Sequence, residues 1–407
     1  MRLVIRNAQI FDTAAMSFRG DGDIVVEDGR IVSVGGRAPS TADHTIDARG
    51  AFALPGLIDA HAHFRLTTMD FRALSQLSEV EFGIVMARLS RATLMRGFTT
   101  IRDPGGDVSG LIRAIAAGEA QGPRIFAAGL MISQTGGHGD MDGGPRAVPD
   151  CACEMRHDSF GIIADGADSV RKAARHNLRA GSDFLKLHVS GGVASPSDPL
   201  DSVQFTAGEI AAATQEAKNR HTYVAAHAYT PPSIRLAVEN GVHTIEHGNL
   251  IDKETAALMA SAGAVLVPTL VTYHAMEDMG AELGLPRANR EKNKIVLEAG
   301  LRSLEIAKAA GVTMGFGTDL IGEAQTRQNR EFAIRAEVLS AKEILTSMYV
   351  VNARLCRLEG KAGTIAEGAH GDIVLSRKNP LDDVRVLADW ENTLSHVIQA
   401  GRVVRAP

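Results

Sequence analysis

Leu54-Pro55-Gly56-Leu57-Ile58-Asp59-Ala60-His61-Ala62-His63 is an apolar run that ends on two histidines one residue apart. In an extended strand the side chains at i and i+2 leave on one face, so His61 and His63 can grip one metal ion from the same side. Alone, such a pair is more often two surface or core histidines than a ligand pair. Its weight comes from the pattern that it opens. Short apolar segments then alternate with longer helical ones, the signature of βα units around a parallel sheet. Strands are expected over Gly56–Phe64, Thr99–Asp103, Arg124–Gly129, Phe184–His188, Thr222–Ala228, Thr244–Gly248, Ala264–Leu270 and Thr313–Asp319. Helices are expected over Glu79–Arg96, Leu111–Ala117, Ala167–Ala180, Ala207–Arg220, Pro232–Asn240, Asp252–Ala262 and Asn289–Ala310. Eight such strands favour an α/β fold closed as a (β/α)8 TIM-like barrel over an open sheet.

Upstream, Leu3–Ile5, Ile24–Glu27, Arg30–Val34 and His44–Asp47 read as short strands, with Glu27-Asp28-Gly29-Arg30 as a hairpin turn. The same texture returns near the other end, in Gly371-Asp372-Ile373-Val374-Leu375 and in the run from His396 to Val404. Both ends are therefore expected to build one small, discontinuous β-sandwich domain, 1–55 plus 363–407, beside a catalytic barrel over 56–362.

The 407 residues suffice for a barrel and a smaller domain. A net charge of −5, with Lys and Arg scattered, argues against nucleic acid or an anionic membrane as partner and points to a small-molecule substrate. Cys151, Cys153 and Cys356 make an odd set that fits a reducing compartment rather than a disulfide framework. Cys151-Ala152-Cys153 lacks the second cysteine pair usual in such zinc sites and is read as loop thiols. The first residues alternate like a strand, unlike a signal peptide, and no apolar run reaches the ~18 residues of a membrane helix. A cytoplasmic protein is expected.

In barrels of this kind chemistry gathers at the carboxyl ends of the strands. His61 and His63 end the first expected strand, Lys186 lies in the fourth, His227 ends the fifth, His247 the sixth and Asp319 the eighth. Singly, each has an ordinary reading: Lys186 as an ion-pair partner, the histidines as hydrogen-bonded core residues, Asp319 as a helix cap. Their repeated placement at strand ends favours one site. His138, in a Gly-rich loop, and Tyr229, two residues after His227, are candidates for contacting substrate. His188 has the parity to face the same mouth but is left out of the metal set. Pro104-Gly105-Gly106 and Gly191-Gly192 do not continue as phosphate-binding motifs and are read as loops passing close to substrate.

Taken in order, the segment from Pro55 to His63, Phe184-Leu185-Lys186, Ala226-His227-Ala228, Thr244-Ile245-Glu246-His247-Gly248 and Gly317-Thr318-Asp319 resemble the binuclear members of the amidohydrolase superfamily. The segments Ser133 to Asp140, Ser190 to Pro196 and Pro268 to Tyr273 resemble its prolidase-type dipeptidases and N-acyl amino acid hydrolases, a group that includes ochratoxin-degrading amidases. The resemblance implies two divalent metal ions, for which Zn²⁺ suits the ligands. His61, His63 and Asp319 would hold the more buried ion and His227 and His247 the more exposed one. Lys186 would bridge them as a carbamate formed from CO₂, which replaces a repelling ammonium by an anion with two oxygens.

It further implies hydrolysis of an amide or peptide bond, in Xaa-Pro or related dipeptides or in N-acyl amino acids, by a metal-bridging hydroxide. In that scheme Asp319 carries the proton, while Tyr229 and His138 meet the substrate. A cyclic amide such as an imidazolone, a lactone, or an ochratoxin-type amide stays open as the substrate. A non-catalytic assembly protein is disfavoured because every ligand position is intact. Relatives commonly associate, so a homo-oligomer is expected.

Overall fold

The computed structural model describes residues 1–74, 76–140, 160–195, 198–282 and 284–407. Cys151 and Cys153 lie outside the described residues. Both chain ends enter one sheet of eight strands: β1 (Arg2–Asp12), β2 (Ser17–Glu27), β3 (Arg30–Val34), β4 (His44–Asp47) and β5 (Phe52–Pro55) from the first, and three from the last. The chain then builds two parallel sheets. β6 (Leu57–Asp59), β7 (Phe98–Asp103) and β8 (Arg124–Ala127) form one of them. The other contains β9 (Met131–Ser133), β10 (Gly161–Ile163), β11 (Leu185–His188), β12 (Val224–Ala228), β13 (Thr244–His247), β14 (Val265–Val267) and β15 (Thr313–Met314), in the order β10-β9-β11-β12-β13-β14-β15. Finally β16 (Ile373–Ser376), β17 (Leu394–Gln399) and β18 (Arg402–Arg405) return antiparallel to the terminal sheet, where β16 pairs with β5.

Each of the eight expected central strands has a counterpart, and so does each of the seven expected helices. Local chemistry sets their limits. Ser78 Oγ accepts from the Glu81 N–H while the Glu81 carboxylate accepts from the Ser78 N–H, a reciprocal cap that starts the helix Glu79–Met95. Asp252 caps the helix Lys253–Ala262 through the Thr255 N–H at 2.8 Å. Gly181, at φ 98°, stops the helix Ala167–Ala180 in the left-handed conformation that a Cβ disfavours.

The differences have physical causes. The third central strand stops at Ala127, because Gly129 turns the chain at φ 73° into the additional strand β9. The eighth is confined to Thr313–Met314, so Asp319 lies beyond it in irregular backbone rather than at its end. The expected strand Ala264–Leu270 ends at Val267, and a helix over Leu270–Met279 follows. That helix buries Leu270, Val271, Thr272, Tyr273, Ala275 and Met276, which go most of the way round it, so it carries no amphipathic stripe to find. The run from His396 to Val404 bends into two strands at Ala400 and Gly401, both at positive φ.

Backbone hydrogen bonds tie both outer strands of the three-stranded sheet to the seven-stranded one: Ala60 N–H, just after β6, to Phe316 O at 2.8 Å, and Asp183 N–H, just before β11, to Ala127 O in β8 at 2.8 Å. Asn352, fully buried after a π-turn over Ser347–Val351, fastens the first seam. Its Nδ2 donates to the carbonyls of Ile58 and Phe316, both at 2.8 Å, and its Oδ1 accepts from the Phe316 N–H at 3.0 Å. Asn352→Leu leaves the Phe316 N–H without its partner and takes a donor from the carbonyls of Ile58 and Phe316 in a buried site, and is expected to destabilise the fold by about 3 kcal/mol. A lower urea midpoint at unchanged m-value checks this.

Candidate active site

The carboxyl ends of the parallel strands open onto one cavity. His61, His63, Lys186, His227, His247 and Asp319 all line it, and so do His138 and Tyr229. His61 and His63 sit past the last ladder residue of β6, in a bend, yet both Nε2 atoms lie 3.3 Å from Asp319 Oδ1. His247 Nδ1 lies 3.8 Å from Asp319 Oδ2, and His61, His247 and Asp319 each offer a ligand atom within 4.8 Å of the others. The rings of His227 and His247 are 4.7 Å apart. His247 and Asp319 hold φ of 73° and 54°, unusual for residues with a Cβ and the kind of backbone strain that clusters at functional sites.

The proton inventory asks for positive charge. His61 Nδ1 lies 2.7 Å from Glu246 Oε2, and a carboxylate only accepts, so the ring hydrogen sits on Nδ1. Its buried Nε2, without a hydrogen-bond partner among the described residues, faces the Asp319 carboxylate. That pair of buried atoms calls for positive charge between them, a proton or a metal ion. His63 responds to the same field: burial disfavours its charge, but the carboxylates of Asp103 and Asp319 outweigh it and raise its pKa to about 9. Burial, with cationic neighbours, holds His227 well below the usual histidine range. Burial does the same for His247 against the opposing pull of Asp319. Both are therefore neutral imidazoles, the form that ligates metal. Burial likewise pulls Lys186 down to about 8, partly offset by Glu246 and Asp319. Four imidazoles, a carboxylate and a buried amine form a donor set that fits divalent cations.

Around this set lies a shell that the motifs did not reveal. Glu246 accepts from Thr244 Oγ1 at 2.6 Å and pairs with the fully buried Arg102, which also donates to Ala60 O. In β13 the polar Thr244 and Glu246 alternate with the apolar Ile245, a period of two that marks them as facing the interior, but a buried arginine partner is invisible locally. His188 borders the cavity as well. Tyr273, from the unexpected helix, holds Tyr229 by a hydroxyl pair at 2.9 Å. Leu66, Met131, Val193, Met276 and Ile321 give the cavity an apolar wall.

Comparison with known proteins agrees with this geometry. The ochratoxinase of Aspergillus niger is 27% identical over 97% of this chain and 86% of its own length. A solved prolidase structure, in complex with N-methylphosphonate-L-proline, superposes with a TM-score of 0.95 at 40% identity over 100% of both chains. A solved Xaa-Pro dipeptidase with bound methionine in its active site gives 0.88 at 30% identity over 99% of each. The sequence profile of the amidohydrolase family matches residues 52–404, and with the strand-end histidines, lysine and aspartate gathered on one cavity, the chain belongs to that family of hydrolases.

Proposed function

We propose that this amidohydrolase cleaves the amide bond of dipeptides, Xaa-Pro or related, or of N-acyl amino acids. The observation that carries the reading is the convergence of His61, His63, Lys186, His227, His247 and Asp319 on one cavity with an apolar wall. The likeness to a prolidase and to an Xaa-Pro dipeptidase supports the substrate class. We infer that the two parallel sheets are arcs of a (β/α)8 barrel over 56–362, and that the terminal sheet forms a β-sandwich domain from 1–55 and 363–407. The backbone bonds at Ala60 and Asp183, from the two outer strands of the smaller sheet to the larger, support closure.

His61, His63 and Asp319 would hold one divalent cation, His227 and His247 a second, and Lys186, as a carbamate, both. Bound there, two such ions lower the pKa of water and polarise a carbonyl. Asp319, in contact with both first-strand imidazoles, takes the proton of the attacking water on its carboxylate and passes it to the departing amine. Tyr229, whose phenol stays protonated by burial, donates to the carbonyl oxygen as charge develops there. His138 meets a second substrate oxygen. The apolar wall excludes water and fits a pyrrolidine or an aliphatic side chain.

A panel of Xaa-Pro dipeptides, other dipeptides and N-acyl amino acids, run with Zn²⁺ against cyclic amides and lactones, tests this. Turnover of linear amides is expected; turnover confined to the cyclic substrates would overturn the reading. Glu246 orients His61, and such partners typically contribute 10–100-fold to metal affinity. Glu246→Gln is therefore expected to weaken binding of the first ion by about tenfold, measured by chelator competition.

A further inference from the structure

The loop after β11 carries a buried carboxylate that the steps above do not use. Asp198 is 3% exposed. Its Oδ2 accepts from the Gly192 N–H at 3.0 Å and from Gln204 Nε2 at 3.2 Å, and lies 3.5 Å from His138 Nδ1. Its Oδ1, without a hydrogen bond among the described residues, lies 3.8 Å from Lys292 Nζ. Lys292 projects from the helix Arg287–Ala309 and also donates to the carbonyls of Gly192 at 3.2 Å, Ser195 at 2.9 Å and Asp198. One ammonium thus gathers the loop and neutralises its carboxylate.

His138 is held from every side. Its Nδ1 lies 3.1 Å from Ser195 Oγ, and its ring stacks on His227 at 4.3 Å with 18° between planes. Gly192 lies against the ring so closely that a Cβ there would come within 2.1 Å of Cε1. A carboxylate only accepts, so Asp198 Oδ2 at 3.5 Å favours a hydrogen on Nδ1, which the Ser195 hydroxyl can accept. Nε2 then remains the ring's other polar atom, on a residue that borders the cavity.

We propose that Asp198 is a positioning residue for the hydrolysis: with Lys292 as its counter-ion it fixes the tautomer and plane of His138, so that Nε2 is presented to the substrate. The proposal rests on the reading that His138 touches substrate. Asp198 and Lys292 themselves touch none of the proposed metal ligands, and because His138 stacks on His227, bound metal is the control that separates the proposal from damage to the centre.

The test is a double-substitution cycle in the metal-loaded enzyme with a turned-over dipeptide. Asp198→Asn is expected to lower kcat/KM about tenfold, the scale of a hydrogen bond to a charged group, with metal per chain and thermal midpoint little changed. In a His138→Ala background the same substitution is expected to cost less than about twofold, because the residue it positions is gone. An equal loss in both backgrounds would overturn the proposal and make Asp198 merely structural. Unchanged kinetics in His138→Ala alone would remove His138 from the substrate and the proposal with it, while the dipeptide panel would still stand for the hydrolase. Should Asp198→Asn fail to fold, Lys292→Met, which keeps the carboxylate, carries the same cycle: a loss that vanishes without His138 supports the proposal and an additive loss defeats it.

Discussion

Asp319→Asn is expected to fold normally and to lose turnover by about a thousandfold, the middle of the range for a positioned proton carrier. The fold is retained because asparagine is among the few residues with a Cβ that accept the left-handed φ of 54° found there. The backbone bonds from Thr318 N–H and Asp319 N–H to His61 O, at 3.1 and 2.7 Å, involve no side chain. Activity is lost because an amide cannot take up the proton and no longer supplies the anion opposite His61 and His63. Steady-state rates, a thermal melt and bound-metal analysis check the three parts. Near-normal turnover would remove Asp319 from the reaction.

Bicarbonate supplied with Zn²⁺ is expected to reactivate the metal-stripped enzyme far better than Zn²⁺ alone, and, when dissolved CO₂ is held at one concentration across the series, more so as pH rises. Only a neutral amine attacks CO₂, and burial brings the Lys186 pKa down to about 8. The protonated form prevails below that value and the neutral form above it. Between pH 7 and pH 9 the reactive fraction therefore grows about tenfold. Reactivation rates in a pH series, read as the return of hydrolysis, measure this. Lys186→Met removes the nucleophilic nitrogen and should show no bicarbonate dependence. A wild-type enzyme indifferent to bicarbonate would mean an unmodified lysine.

Much of this site was legible because its residues sit where alternation and strand ends put them. His227 and His247 close expected strands, and the His61/His63 spacing survives although the chain bends there rather than continuing as a ladder. What escaped was set by distant parts of the chain. Arg102 and Glu246 meet only because β7 and β13 face across the interior, and no local spacing encodes that ion pair. The helix Leu270–Met279, buried nearly all round, follows a short apolar strand with only Pro268 and Thr269 between, so the periodicity test had nothing to separate them. Strands β9 and β10 are three residues each, too short to announce themselves. Asp198 lies in a loop where its partners, Lys292 and His138, come from far along the sequence on either side.

The strands that lead into His61 pair with β1 and β7, yet part of their register comes from residues made almost last. β5 pairs with β16, and Gly56 N–H bonds Asp372 O at 2.9 Å immediately before β6 begins, while Asn352 ties Ile58 to Phe316. A nascent chain lacks these ties while the segments are still inside the ribosome, even though its first two histidines emerged some three hundred residues earlier. Under the proposed reading, loading with metal would in this sense be a late, post-synthetic event, and a chain cut short before residue 372 is expected to bind metal poorly however intact its histidines.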